Sequence, residues 1–76
     1  MQRFVPEWIG EKIKEERIQR GLLQKDLAEM IYLNVSALNR MEKHGESVSN
    51  IDKLVLVANA LNIDVRVLID AGIDDQ

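Results

Sequence analysis

Two short apolar patterns of helical period lie only three residues apart in the middle of this chain, and few arrangements of backbone accommodate that. Leu27, Ala28 and Ile31 set one stripe, Leu38 and Met41 set the next, and Tyr32-Leu33-Asn34 is all that separates them. Apolar side chains at three- and four-residue spacing mark one face of a helix. The sequence therefore predicts two short helices, about 24–31 and 35–43, held on a tight turn.

Composition bounds what can surround that pair. Seventy-six residues allow one domain, 1–76, and a hydrophobic fraction of 46% is normal for a folded globule. There is no cysteine, and His44 is the only histidine, so neither a metal centre nor a cofactor is expected. Asp and Glu are abundant, but no base, nucleophile or phosphate loop converges on them, which argues against an enzyme. Asp70, Asp74 and Asp75 lack a glycine-turn calcium loop and read as a solvated acidic end. No apolar run approaches the ~20 residues of a membrane span. The N-terminus lacks the apolar core of a signal peptide, so a cytoplasmic location is expected.

Pro6 suits a first helical turn. Ile9, Ile13 and Arg17 then recur every four residues, and Gly21 supplies a stop, giving a helix over about 7–20. Its charged face, with Glu11, Lys12, Lys14, Glu15 and Arg20, reads as solvated. Ser49 followed by Asp52 reads as a capping box for a fourth helix, about 50–61. Asp64 is placed to cap a fifth, about 65–71, which Gly72 ends. Residues 72–76 are expected to fray, and strand-period alternation is found nowhere. The expected fold is all-α, a bundle of five short helices with a core over about 7–71. Phe4, Val5 and Trp8 form a small apolar group ahead of it; Trp8 reads either as a lid on the domain or as a partner or DNA contact.

Two short helices on such a turn, the second presenting small and polar side chains, form a helix-turn-helix, whose second helix is sized for the major groove of DNA. The surrounding segments extend the pattern: Ile9-Gly10-Glu11-Lys12-Ile13, Arg17-Ile18-Gln19-Arg20-Gly21-Leu22, Gln24-Lys25-Asp26-Leu27-Ala28-Glu29, Arg40-Met41-Glu42, Leu54, Ala58-Asn59-Ala60-Leu61-Asn62-Ile63, and Val65 through Ile69. In order and spacing these resemble the Cro and phage-repressor family of xenobiotic-response-element type, from Ile9 to Ile69. The resemblance implies a lambda-repressor-like domain, and a transcriptional repressor or activator that binds palindromic double-stranded DNA operators as a homodimer.

It also implies roles for particular positions. Gln24 and Asn34 would approach phosphates, Gln24 with a helix N-terminus behind it. Val35, Ser36, Asn39 and Arg40 would face base edges. Arg40 suits a bidentate contact to guanine, Asn39 suits adenine, and Val35 suits a thymine methyl. Lys43 and His44 stand within reach of phosphates, or are simply solvated. Arg40 has an alternative in salt-bridging to Glu29 or Glu46. Arg17 and Glu42 would form an internal ion pair joining the first helix to the third.

Four departures from the family pattern stand out. Leu23 occupies a position usually held by a capping Ser, Thr or Asn. Tyr32 replaces the usual turn glycine, which strains the backbone if φ is positive there. The loop before Ser49 is one residue longer than common versions and lacks their proline. Leu56 and Val67 are apolar where polar residues are usual, and with Ile69 and Ile73 they form either an overpacked core or a homodimer interface.

Charge pulls the other way. The net charge is −3, but residues 1–20 carry +1, residues 21–50 carry −1, and residues 51–76 carry −3. The acid lies away from the expected reading helix, and local sign matters more than the total. The leading expectation is a sequence-specific DNA-binding regulator. The alternative is a protein-interaction module on the same fold, such as an antitoxin or a regulator's accessory subunit, with a regulatory protein as partner.

Overall fold

The row Ile9, Ile13 and Arg17 is buried along one face of α1 (Pro6–Gln19), as its spacing requires. The computed structural model describes residues 1–75. Among them follow α2 (Gln24–Met30), α3 (Val35–His44), α4 (Ile51–Leu61) and α5 (Val65–Ala71), with β1 (Arg3–Phe4) and β2 (Ile73–Asp74) at the ends. The expected all-α bundle of five short helices is therefore present. Its core gathers Leu27 and Ala28 from α2, Leu38 and Met41 from α3, Leu54, Val57 and Leu61 from α4, and Leu68 from α5 around Ile9 and Ile13. Among the described residues, no helix is long and apolar enough to cross a membrane.

Gly10 sets how closely α1 and α3 approach. A Cβ at this position would stand 2.6 Å from the Glu42 carbonyl oxygen and nearer still to that of Met41. The two backbones are in contact there, and α1 becomes the platform on which α3 is mounted.

Three expectations need correction. Residues 72–75 are not a frayed tail: Ile73 pairs with Phe4 and Asp74 with Arg3 in an antiparallel ladder, and the Val5 N–H donates to the Gly72 carbonyl at 2.7 Å. Gln76, the last residue of that expected tail, lies outside the described residues. Asp74 is not a solvated acid, because it is buried and accepts from Arg3 Nε at 2.9 Å. The cap of α4 is Asn50 rather than Ser49. Its Oδ1 accepts from the N–H groups of Asp52 (3.1 Å) and Lys53 (3.2 Å), satisfying two otherwise unpartnered donors.

Asp64 caps α5 as expected, accepting from the Arg66 N–H at 2.9 Å. The Arg66 side chain also grips that carboxylate, which holds its pKa down at about 2. Trp8 keeps 38% of its surface exposed in the first turn of α1, so it covers the domain only in part.

Tyr32 adopts φ 60°, in the left-handed region where glycine is usual. The residue is 86% exposed, so packing does not offset the backbone strain. A side chain in this region costs roughly 1–2 kcal/mol, and glycine relieves part of that while adding entropy to the unfolded chain. Tyr32→Gly should therefore raise unfolding stability by about 0.5–1 kcal/mol. The check is a urea midpoint that moves up with the slope unchanged; a lower midpoint would show that the tyrosine ring has a stabilising contact.

Candidate nucleic-acid interface

The turn between α2 and α3 is closed by backbone. The Leu33 N–H donates to the Ala28 carbonyl at 2.9 Å and the Ile31 N–H to that of Leu27 at 3.1 Å. Leu23 offers α2 no capping oxygen, but Asp26 reaches back to accept from the Leu23 N–H at 2.9 Å, which supplies half of a capping box. At the start of α3, Asn34 Oδ1 accepts from the Ala37 N–H at 2.8 Å. Gly45, with φ 69°, stops α3, its N–H donating to the Met41 carbonyl.

Within α3 the faces divide sharply. Leu38, Met41 and Glu42 are buried, while Val35, Ser36, Asn39, Arg40, Lys43 and His44 are exposed. The four residues assigned to base reading thus share a solvent-facing surface, with Lys43 and His44 at its C-terminal end.

Glu42 is a charged member of the buried row, and Arg17 compensates it. Arg17 Nε and Nη2 donate to the two carboxylate oxygens at 2.7 and 3.1 Å, and Nη1 donates to the Leu22 carbonyl at 2.8 Å. All three guanidinium nitrogens are engaged. Gln24 extends the network outward, its Nε2 donating to Glu42 Oε1 at 3.1 Å and to Asn39 Oδ1 at 3.2 Å. An unbroken chain of polar contacts runs from the buried ion pair to an exposed residue of α3. Among the described residues, no buried side-chain nitrogen or oxygen lacks a partner.

Gln24, Asn39, Glu42 and Lys43 line a cleft of about 360 Å³ whose other wall is Glu11 and Lys14 of α1. Lys14 is exposed, as expected of the charged face of α1. The cleft sets it across from Gln24 and Lys43, a position no spacing rule within one helix reveals. Arg40 takes the second of its two expected alternatives, with Nε 3.1 Å from Glu46 Oε1 on the following loop.

The arrangement is a short helix with one wet, polar face, mounted on a tight turn beside a second short helix with which it shares a hydrogen-bond network. Over residues 13–68 the chain matches the helix-turn-helix family. The chain belongs to the Cro/C1-type helix-turn-helix family. It is accordingly a DNA-binding transcription regulator. The restriction-modification controller protein C.AhdI from Aeromonas hydrophila is similar at 30% identity, over 83% of this chain and 94% of that one, with a TM-score of 0.75. The clp gene regulator ClgR from C. glutamicum shares the fold at 23% identity, over 91% of this chain and 88% of that one, with a TM-score of 0.79. No curated protein matches the chain significantly.

The dimer residues proposed from sequence are split by the structure. Leu56 and Val67 are 38% and 40% exposed, whereas Ile69 is half-buried against the core and Ile73 is half-buried in β2. Ile51 and Val55 on α4 are also exposed apolar side chains.

Truncating one partner of a buried ion pair strands the other, which costs about 3–5 kcal/mol. Glu42→Ala should lower stability by that order, and replacing both Arg17 and Glu42 with apolar residues should cost clearly less than the two single changes added together. Denaturant unfolding of the four proteins of this double-mutant cycle measures it, and strictly additive losses would rule out the coupling.

Proposed function

We propose that the chain is a repressor that binds a palindromic operator as a homodimer, laying α3 in the major groove of each half-site. The observation that carries this reading is the exposed row Val35, Ser36, Asn39 and Arg40 on a helix whose opposite face is locked into the core. Arg40 would take a guanine edge and Asn39 an adenine edge, with Ser36 and Val35 completing the contact. Gln24, Asn34, Lys43 and His44 would meet the phosphates on either side, and Lys14 would join them from the facing wall of the cleft.

Leu56 and Val67 support the dimer. Two-fold pairing through α4 and α5 would bring two α3 helices to successive major-groove faces, about 34 Å apart. Ile69 and Ile73 would border this contact. Leu56→Glu combined with Val67→Glu should give a folded monomer with weakened operator binding. Sedimentation equilibrium together with circular dichroism reads this, and an unchanged dimer would place the interface elsewhere.

A second reading rests on Leu23, Tyr32 and Val35, which are exposed apolar side chains at the start of α2, on the turn and in the first turn of α3. They fit a protein partner, as in an antitoxin or an accessory subunit of a regulator. Selection from a random duplex pool at low salt, followed by mobility shift at physiological salt, separates the two. The DNA reading expects a palindrome with half-sites one turn apart, and Arg40→Ala should weaken binding by roughly 5- to 150-fold, equivalent to ~1–3 kcal/mol. Recovery of no sequence would favour the protein partner.

A further inference from the structure

Arg40, the strongest candidate for base recognition, is already held by another residue. The Glu46 carboxylate lies 3.1 Å from Arg40 Nε, and the Glu46 N–H points to the Arg40 carbonyl at 3.5 Å. Glu46 is therefore fixed to Arg40 through both main chain and side chain. The loop that carries it is itself anchored. Gly45 has no room for a side chain, since a Cβ there would stand 2.7 Å from the Glu7 nitrogen and nearer to the Pro6 carbonyl group. Val48, three residues on, is buried in the core. The geometry of this loop delivers a carboxylate to the edge of the reading face.

The ion pair is half exposed on both sides, with side-chain exposures of 50% and 52%. Such pairs are weak, and a good bidentate contact to guanine outcompetes them. A lone phosphate contact gains less and does not displace the pair so readily. We propose that Glu46 acts as a positioning residue that competes for Arg40, suppressing binding to arbitrary DNA while yielding to the cognate base. The proposal rests on the reading that α3 faces DNA. On non-cognate DNA, Arg40 stays with Glu46; at the operator the pair opens and the guanidinium turns to the base edge.

The test is Glu46→Gln, alone and with Arg40→Ala, titrated against the selected operator and against random duplex over a range of salt, with thermal melts to confirm folding. The expected result is that E46Q binds random duplex roughly two- to five-fold more tightly. Its salt dependence should steepen by up to about one counterion, and its preference for the operator should shrink. In the Arg40→Ala background these gains should vanish. A gain that persists without Arg40 would make Glu46 a source of simple charge repulsion and overturn the proposal. Weaker operator binding by E46Q would overturn it too, by making Glu46 itself a DNA contact. If wild type binds DNA and E46Q matches it, this inference alone fails. If neither protein binds any duplex, it falls together with the proposed function.

Discussion

The rest of the reading surface depends on the buried ion pair between Arg17 and Glu42. Placing two charges in an apolar interior is unfavourable unless every polar atom finds a partner. Here each guanidinium nitrogen does, and the leftover capacity of Glu42 is taken up by Gln24. The result ties the C-terminal half of α1, the first residue of α2 and the last turns of α3 to a single point. With Gly10 allowing α1 and α3 to touch at the backbone, the angle of α3 is fixed from two directions. A recognition helix held this way presents its side chains in a set geometry, which is what discrimination between bases requires.

The regular parts of this architecture were legible in the amino-acid sequence because period and caps are local signals. The stripe Ile9, Ile13, Arg17 announced α1, and Asp64 announced the start of α5. The strain at Tyr32 was expected only on the condition of a positive φ, and through the family resemblance that sets a glycine there. What escaped depended on distance along the chain. A two-residue ladder is too short to show alternation, and its partners lie at opposite ends of the sequence, so nothing near Asp74 signals its burial. Asn50 and Ser49 are both good caps, and only the direction of the α4 N–H groups decides between them. The Arg17–Glu42 pair was expected through family resemblance, because a separation of 25 positions carries no spacing rule that would connect them. The wall formed by Lys14 was invisible for the same reason.

A net negative protein that reads a polyanion has to manage charge locally. Here six of the ten basic side chains face carboxylates within the fold: Arg17 at Glu42, Arg20 and Lys12 at Glu16, Arg40 at Glu46, Arg66 at Asp64 and Arg3 at Asp74. Such pairing leaves little loose positive charge for indiscriminate attraction to phosphates. In the proposed complex, recognition would then lean on shape and on the few exposed side chains of α3, with the acidic C-terminal segment acting through the long-range field.

The ladder between β1 and β2 carries a further meaning. Arg3 and Asp74 are 71 positions apart, so their contact closes nearly the whole chain into a ring. Joining the ends of so long a segment is entropically unfavourable while the intervening chain is loose, and becomes easy only once the helices between have condensed. The two strands thus form late and open early. The seam behaves as a latch whose closure reports that α1 and α5 have both reached their final positions.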